Sequence, residues 1–181
     1  LITGEIHVNE VAGPLSCEKL SQTLNSGKIK LTSGAITLVP IANPKAYEKD
    51  VRQIEENLNR VINKWDNADT YEKKLGVEIA KLIEANDYML DIHSTHCDGD
   101  VPFTFMDSKT LGNLKLVDAV DVGYFSTGWP EVYASPEDIV DYSTDKYAHI
   151  AGKSGITLEC GYHTEQAAID IAYNSIVNTL K

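Results

Sequence analysis

The sequence predicts an α/β sandwich, and three observations lead to that fold class. Short apolar runs rich in β-branched residues alternate along the chain with longer segments whose apolar residues recur at helical spacing. The 181 residues are enough for one domain with a substantial core. The sequence shows no internal repeat, low-complexity tract or linker. We therefore predict a single domain over residues 1–181.

The first half of the chain is predicted to alternate strands with helices. Gly4 permits a bend after the first strand, and Pro40 ends the second because proline cannot donate to a strand ladder. Each helix carries apolar residues three and four positions apart on one stripe. The predicted strands are residues 1–3, 35–39 and 88–93, and the predicted helices are residues 9–25 and 71–85.

Residues 42–69 form a long polar, turn-rich segment, which is unusual for a simple connection in a compact domain. We predict an irregular segment with a functional role, because loops of this length usually carry function. The second half of the chain then returns to alternation. Its predicted strands are residues 101–105, 122–125 and 155–158, and its predicted helices are residues 111–120, 136–151 and 167–180, with Pro136 in a first helical turn.

The composition excludes several classes of protein. A net charge of −11 at pH 7 argues against nucleic-acid binding, which depends on basic patches, although a few arginines can still bind a small anion. No apolar run approaches the length of a membrane span. We therefore expect no nucleic-acid or membrane partner, and the composition is compatible with a small anionic substrate. The oligomeric state stays open, and a homo-oligomer is one option.

Cys17, Cys97 and Cys160 are too few and odd in number for a disulfide framework, which favours a reducing compartment. We predict a cytoplasmic location and a buried packing role for each thiol. The sequence opens at Leu1, in an apolar run and without a methionine. We expect further residues ahead of it, among which any targeting segment would lie.

His7, Glu10 and His93 have the types and placement of metal ligands. His7 and Glu10 are three positions apart, so on a first helical turn both side chains can reach one ion. His93 follows a predicted strand, at the end where open α/β sheets bind ligands. Two histidines and a glutamate leave zinc one position for water. The alternatives are a surface histidine with a glutamate at a helix N-terminus, and a histidine satisfied by neighbouring backbone.

Asp91 and His96 are near His93 in sequence, and the alternation of side chains along a strand predicts different positions for them. Asp91 lies on the same face and can hold a ligand histidine through its second nitrogen. His96 points the opposite way in an extended chain, so we predict a pocket-wall or surface histidine there.

Three residues of the long polar segment have the chemistry of an anion site. Arg60 offers a planar fork that suits a carboxylate, and Asn59 adds one donor. Arg52 can face a carbonyl under attack and stabilise its developing negative charge. The alternative is a solvated charged segment, since several acidic residues surround them.

Glu159 ends an apolar strand and precedes Cys160. A glutamate in that position is well placed as a general base for water at a metal. The alternative is an edge-strand residue that reaches outward to solvent.

Five stretches in this order resemble the succinylglutamate desuccinylase/aspartoacylase family, a branch of the zinc carboxypeptidase superfamily. The seven-residue step from Arg52 to Asn59 fits this branch, because the digestive carboxypeptidases have a longer gap. The stretches are GEIHVNE at 4–10, NPKA at 43–46, Arg52 through NLNR at 57–60, DIHST at 91–95 and TLECG at 157–161.

The resemblance implies a three-layer α/β/α sandwich with a mixed sheet and a single catalytic zinc-hydrolase domain. It also implies one zinc ion per chain, a base that takes a proton from the attacking water and passes it to the leaving amine, and a site for a substrate carboxylate. The residues implied are His7, Glu10 and His93 for the zinc, Glu159 for the base, Arg52 for the scissile carbonyl, and Asn59 and Arg60 for the carboxylate.

The chain departs from the family pattern in three places. Val8 stands where the family usually has glycine. Before Glu159, the aspartoacylases carry a tyrosine and an arginine that read a second substrate carboxylate, whereas residues 142–149 contain no arginine. Either Lys146, Tyr147 or His149 substitutes for that arginine, or the substrate lacks that carboxylate. Many members also carry a C-terminal β-rich domain, and we expect none within residues 1–181.

These observations predict a zinc-dependent amidohydrolase that cleaves an N-acyl amino acid or a similar carboxylate-bearing amide. The alternative enzyme is a metallocarboxypeptidase that acts on peptide C-termini. A second alternative is a non-catalytic binding domain of the same fold, although such a module has no need of Glu159.

Overall fold

A six-stranded mixed sheet forms the centre of the computed structural model, which describes residues 1–128 and 142–181. The strands are β1 (Ile2–Gly4), β2 (Leu38–Val39), β3 (Tyr88–Thr95), β4 (Phe103–Phe105), β5 (Phe125–Ser126) and β6 (Ser154–Tyr162). Their order in the sheet is β2-β1-β3-β6-β4-β5. Strands β2, β1, β3 and β6 are mutually parallel. Strand β4 runs antiparallel to β6, and β5 is parallel to β4.

Helices cover both faces of this sheet. They are α1 (Ala12–Asn25), α2 (Pro44–Lys49), α3 (Tyr71–Ala85), α4 (Leu111–Val120), α5 (Thr144–Ile150) and α6 (Gln166–Thr179). One hydrophobic core packs α1, α4 and α6 against one face, and a second core packs α3 and α5 against the other. The predicted α/β/α sandwich with a mixed sheet is therefore confirmed. Within the described ranges, no helix has the length and apolar character needed to cross a membrane.

The alternation of side chains along the central strands decides which residues face each core. In β3, Leu90 and Ile92 belong to the core beneath α1, α4 and α6, so His93 faces the opposite side. In β6, Leu158 faces that same core, and Glu159 is therefore turned to the side of His93. The β3–β6 register pairs His93 with Glu159 directly.

A close approach between β1 and α1 sets the geometry of the turn between them. A Cβ atom on Gly4 would lie 2.7 Å from the Cα of Gly13, so glycine alone fits this contact. The contact brings the start of α1 against the end of β1. The intervening turn, which carries His7 and Glu10, is thereby held at the carboxyl ends of the parallel strands.

The prediction that residues 42–69 are irregular was wrong in part, because the segment contains α2 and a 3₁₀ turn over Leu58–Arg60. The six-residue α2 is too short for a hydrophobic stripe, but its N-terminus is marked by two local signals. The Asn43 side chain accepts the Ala46 N–H, and Pro44 occupies the first turn.

The predicted helix over residues 136–151 lies partly outside the described residues, which resume at Tyr142. In the described part, the helix begins at Thr144 and Ser143 is its N-cap. The two edge strands also differ from prediction, since β2 is shorter and β5 begins only at Phe125.

Candidate metal centre

His7 and Glu10 lie in a turn ahead of α1 and not on its first helical turn. The turn is closed by a bond from the Glu10 N–H to the His7 carbonyl, 3.3 Å long. This i to i+3 closure still places both side chains on one side of the backbone. The structure therefore brings the pair together by a different local geometry from the one predicted.

Glu10 lies between the two histidines, and all three side chains are buried. Its Oε1 is 3.0 Å from Nδ1 of His7, and its Oε2 is 2.8 Å from Nδ1 of His93. One ligand atom from each residue lies within 4.8 Å of the others. A single ion can therefore contact all three.

The second nitrogen of each histidine is also engaged. Nε2 of His93 lies 2.9 Å from Oδ2 of Asp91, and Nε2 of His7 lies 3.1 Å from Oδ1 of Asn57. Donation from these nitrogens leaves both Nδ1 lone pairs facing the Glu10 carboxylate, which is repulsive unless a proton or a cation lies between them. Two imidazole nitrogens and a carboxylate are a common donor set for catalytic zinc, and partners behind the histidines are typical of such sites. The residues present therefore fit zinc.

The pKa values of the cluster follow from its burial and its charges. Burial alone would raise the pKa of Glu10, but His93 and His7 offset it and hold that pKa well below its usual range. Burial would lower the pKa of His93, but Asp91 and Glu10 on its two nitrogens raise it well above 6.5. Burial lowers the pKa of His7, and the hydrogen bond that His7 makes to the Glu10 carboxylate opposes this shift. The site thus favours negative charge on Glu10 and positive charge beside it.

Arg52 contacts this cluster from the exposed side. Its Nη2 lies 3.2 Å from Nε2 of His7 and its Nη1 4.0 Å from Oε1 of Glu10. Arg52 can only donate, so this contact requires His7 Nε2 to accept, whereas Asn57 Oδ1 requires it to donate. A cation on Nδ1 of His7 would select the tautomer that donates to Asn57 and would thus disfavour the Arg52–His7 bond. The Arg52 side chain already lines the cavity.

Glu159 lies opposite His93 on β6. Its Oε2 is buried and has no hydrogen-bond partner among the described residues. Burial raises the pKa of Glu159 to about 7, with His93 and Arg52 opposing the rise and Glu10 and Asp91 adding to it. A carboxyl group with a pKa near neutrality can exchange a proton in either direction, as a general acid–base group must.

A cavity of about 390 Å³ opens at this end of the sheet and is lined by seven of the predicted site residues. These are His7, Glu10, His93, Arg52, Asn59, Arg60 and Glu159. A larger cavity of about 530 Å³ lies around the amino ends of β1 and β3 and contains none of them. We assign the chemistry to the smaller cavity because it holds the metal-ligand cluster.

Asn59 and Arg60, the pair predicted to bind a carboxylate, are held by two backbone contacts. Oδ1 of Asn59 accepts a hydrogen bond from the Thr144 N–H at 3.1 Å. The amide NH₂ of Asn59 is then the group of this side chain that can donate to a ligand. The Arg60 guanidinium donates to the Asn59 carbonyl at 2.7 Å. Both side chains line the cavity.

Two other predicted substrate-binding residues are not in the cavity wall. The Tyr147 side chain packs in the core with α3, and its hydroxyl donates to Oε1 of Glu84 at 2.9 Å. Lys146 is absent from the lining of the cavity. The reason is helical phase, because a helix starting at Thr144 turns Asp145 to the cavity and Tyr147 to the core. The structure gives no support to a substrate-binding role for either residue.

The remaining sequence predictions near the site concern His96, His149 and the cysteines. His96 lies at the rim of the cavity, with Nδ1 3.2 Å from the Asn9 amide, and it stays outside the ligand cluster. His149 is exposed and contacts Ser108. Cys17 and Cys160 are buried as predicted, but Cys97 is exposed, so its predicted packing role was wrong.

Glu72 on α3 is a buried residue that sequence reasoning missed. Its carboxylate accepts the backbone N–H groups of Ile54 at 2.7 Å, Glu55 at 3.1 Å and Glu56 at 3.3 Å. These bonds fix the loop between Arg52 and Asn57. No local pattern marks this role, because the partners lie 16 to 18 positions away along the chain.

Glu5, two positions before His7, is also fully buried, and neither carboxylate oxygen has a hydrogen-bond partner among the described residues. Its φ of 44° is in the left-handed region. Burial raises its pKa to about 7, and the nearby Glu10 adds to the rise. The structure offers no contact that explains a glutamate at this position.

The mixed sheet between two helical layers, with a His–Glu–His cluster at the carboxyl ends of its parallel strands, defines a protein of the zinc carboxypeptidase-like fold. The model of the succinylglutamate desuccinylase/aspartoacylase catalytic domain matches residues 1–173. The chain therefore belongs to this family of deacylase-type hydrolases. A search of curated protein sequences finds no match.

Solved structures share the fold at low sequence identity. The product-bound ectoine utilization protein EutE (DoeB) from Ruegeria pomeroyi has a TM-score of 0.78 at 21% identity, over 99% of this chain and 55% of that one. A succinylglutamate desuccinylase/aspartoacylase from Rhodobacter sphaeroides has a TM-score of 0.78 at 19% identity, over 99% and 54%. The tripeptide-bound cell shape determinant Csd4 from Helicobacter pylori has a TM-score of 0.74 at 14% identity, over 99% and 49%. This chain thus spans about half the length of these proteins.

Proposed function

We propose that this chain is a zinc-dependent deacylase that hydrolyses the amide of an N-acyl amino acid or a similar carboxylate-bearing amide. Residues 1–181 would form one catalytic domain. The observation that carries the proposal is the buried cluster of His7, Glu10 and His93 with Glu159 opposite it on the neighbouring strand. Membership of a deacylase-type family supports the same reaction class.

His7, Glu10 and His93 would hold the zinc ion, which would act as a Lewis acid and lower the pKa of water. Glu159 is the group that takes a proton from the attacking water. It then returns that proton to the leaving amine nitrogen, so the amine departs in a neutral form.

The arginines and Asn59 supply binding and charge stabilisation. Arg52 lines the cavity and can donate to the oxygen of the scissile carbonyl, where negative charge develops, in place of its contact with His7. Asn59 and Arg60 bind the substrate carboxylate, and the fork of Arg60 orients it. Together these donors fix the amide relative to Glu159.

A metallocarboxypeptidase is the second candidate, because the fold is shared with Csd4, which binds a tripeptide. Both reactions need a metal, a base and a carboxylate clamp, so product analysis separates them. We expect release of free amino acid from N-acyl amino acids and little cleavage of short peptides. Preferential removal of a C-terminal residue from peptides would favour the carboxypeptidase.

Replacement of Glu159 tests the catalytic proposal. Glu159→Gln should keep the fold and the metal but reduce kcat by on the order of 10²-fold or more, because the general base is lost. Steady-state kinetics with an N-acyl amino acid, together with metal content, make the measurement. Glu165→Gln, at an exposed glutamate beyond the same strand, is the matched control. Near-normal turnover in Glu159→Gln would assign the base to another residue, and absence of turnover in the wild type would favour a binding domain.

A further inference from the structure

We propose that His96 and His163 form a second metal site, separate from the cluster of His7, Glu10 and His93. This rim site binds a divalent transition-metal ion such as zinc, and it binds the ion more weakly than the cluster does. The two rings are in edge-to-face contact, with their centres 5.0 Å apart. The function proposed above uses neither histidine, so the rim site stands independently of it.

The spacing of the two rings is the spacing that a shared ion requires. Zinc binds imidazole nitrogens at about 2.0–2.1 Å in tetrahedral geometry, which places the centres of two coordinating rings about 5 Å apart. The rings of His96 and His163 meet this condition at 5.0 Å, and those of His7 and His93 meet it at 5.1 Å. Both pairs of histidines therefore have the spacing of metal ligands.

A bulge in β6 brings His163 to this position. The β3–β6 pairing shifts by one residue after His93, so that Thr95 pairs with Tyr162 and not with Gly161. Gly161 has a φ of 94°, a backbone conformation that favours glycine. Bulges of this kind re-aim side chains beside functional sites. The extra residue places His163 next to the carboxyl end of β3.

Two hydrogen bonds fix the His163 ring in a form that can bind a metal. Its Nδ1 lies 2.7 Å from the carbonyl oxygen of Thr95, and its backbone N–H donates to the same oxygen at 3.0 Å. A carbonyl oxygen can only accept, so Nδ1 carries the proton and the neutral ring keeps a lone pair on Nε2. Histidines that bind metals commonly donate their other nitrogen to a backbone carbonyl in this way.

The His96 ring can present its own Nε2 to the same ion. The side chain is exposed, and its Nδ1 lies 3.2 Å from the side-chain amide of Asn9. That amide can donate to Nδ1 or, after a rotation of about 180°, accept a proton from it. The second arrangement leaves the Nε2 lone pair for an ion. Asn9 then supports His96 as the Thr95 carbonyl supports His163.

The surroundings of the pair favour a cation. The turn that follows His96 carries the exposed carboxylates of Asp98 and Asp100, and it is closed by a bond of 3.3 Å from the Asp100 N–H to the Cys97 carbonyl. These carboxylates add negative potential near the pair. Imidazole nitrogens suit zinc, copper and nickel, so the ligand is an ion of this class.

The number of protein ligands sets the affinity of the rim site. Within the described part of the chain, no third histidine, cysteine or carboxylate joins His96 and His163 at ligand distance. Water or an anionic group therefore completes the coordination. We expect an ion at this site to be held less tightly than at the three-ligand cluster, and to be removed together with unbound ions.

Equilibrium dialysis against a series of buffered free zinc concentrations tests the rim site, with bound zinc per chain as the measurement. The wild type should bind a second zinc at a higher free concentration than the first. His96→Gln and His163→Gln should each lose the second zinc and keep the first, because one imidazole remains. His93→Ala should lose the first zinc and keep the second.

Two control variants exclude other sources of bound zinc. His149→Gln removes an exposed histidine on α5. Cys97→Ser removes the exposed thiol beside His96, because a thiolate can bind zinc by itself. Both variants should keep both zinc ions.

Several outcomes would overturn the rim site. They are a single binding step in the wild type, a second step that survives the loss of His96 or His163, and a second step that disappears in Cys97→Ser. Loss of both steps in His93→Ala would place the second ion at the first centre and would overturn it as well. A missing first step with the second intact contradicts only the cluster. His96 is exposed, so its replacement decides the matter even if His163→Gln does not fold.

Discussion

Asp91 is the residue on which the hydrogen bonds of the site converge. It is fully buried and accepts from Thr3 at 2.7 Å, from Thr144 at 2.6 Å and from His93 at 2.9 Å. Strand alternation was enough to place Asp91 behind His93. Thr144, however, lies 53 positions away, and only the packing of α5 on the sheet brings it there.

Thr144 links the proposed metal ligand His93 to the proposed carboxylate-binding Asn59, because its hydroxyl donates to Asp91 and its N–H donates to Asn59. We predict that Thr144→Val weakens zinc affinity about tenfold or more, since partners behind ligand histidines usually contribute that much. The KM of carboxylate substrates should change little, because the N–H remains. Zinc competition titration and steady-state kinetics make the two measurements.

Thr144→Pro is the matched variant, because proline is accepted at the first helical position and the extended Ser143 suits a following proline. It removes both the hydroxyl and the N–H, so KM should rise together with the loss of zinc affinity. An equal KM in the two variants would show that the Thr144 N–H does not position Asn59.

Asp145 should make stability depend on pH. Its pKa rises from 3.8 to about 6 on folding because of burial, so the folded protein binds this proton more tightly than the unfolded chain. The corresponding stability is fully present below about pH 4 and is lost as the pH rises through about 6. We predict that Asp145→Asn loses less stability than the wild type between pH 4 and 7.5, by on the order of 1–2 kcal/mol, a value reduced for partial exposure.

Urea unfolding at several pH values makes this measurement. Asp118→Asn, on the exposed face of α4, is the control and should follow the wild type. Parallel curves for Asp145→Asn and the wild type would contradict the burial of this carboxylate.

The spacing of the motifs and the starting point of helix α5 explain which site residues could be predicted from the sequence. His7 and Glu10 are only three positions apart, so their spacing alone suggests a shared ion, whereas His93 joins them because β3 lies beside β1 in the sheet. Lys146 and Tyr147 were proposed from their position before Glu159 alone. Their orientation depends on α5 beginning at Thr144 after the extended Ser143, and the predicted helix ran through Ser143.

At the scale of elements, helix α3 holds the segment of residues 52–61 in place. Gly76 packs so closely on Val61 that a Cβ atom would lie 2.1 Å from the Val61 carbonyl oxygen. Glu72, one turn earlier, binds the backbone of residues 54–56. The helix thus holds both sides of the segment that carries Arg52, Asn59 and Arg60.

Loss of the Glu72 carboxylate should release this loop. Glu72→Ala leaves three backbone N–H groups without their acceptor, so we predict a loss of about 2–4 kcal/mol in the free energy of unfolding. Turnover should fall as well, since Arg52 is no longer positioned. Chemical denaturation and kinetics make the measurements.

Glu78→Ala is the matched control on the same helix. Glu78 is exposed and pairs only with Lys81 among the contacts described, so its loss should change stability by about 0.5 kcal/mol or less. Equal effects of the two substitutions would show that Glu72 does not hold the loop.

The elements that sequence predicted well have strong local signals. For α3 and α4, the predicted residues 71–85 and 111–120 match the structure, because Thr70 and Thr110 cap helices with clear apolar stripes. The edge strands β2 and β5 are only two residues long, and their limits depend on pairing with β1 and β4. Local residue preference does not contain that information.

At the scale of the whole molecule, an acidic chain surrounds a site that needs positive charge. The net charge of −11 includes the buried carboxylates of Glu10 and Asp91 and the half-buried carboxylate of Glu159, which lie around His7 and His93. A divalent cation at this point relieves their mutual repulsion and stabilises the folded state in proportion to its binding. The fold class was predictable from alternation, whereas this cluster depends on three strands meeting at one edge of the sheet.

Zinc content decides whether His7, Glu10 and His93 form the metal centre. We predict one zinc per chain in the wild type, measured by mass spectrometry after equilibration with zinc and removal of unbound ions. His93→Ala should lose stoichiometric zinc, because two ligands remain of three. His96→Ala, which changes a histidine at the cavity rim, should retain it. Full zinc content in His93→Ala, or its loss in His96→Ala alone, would contradict the assignment.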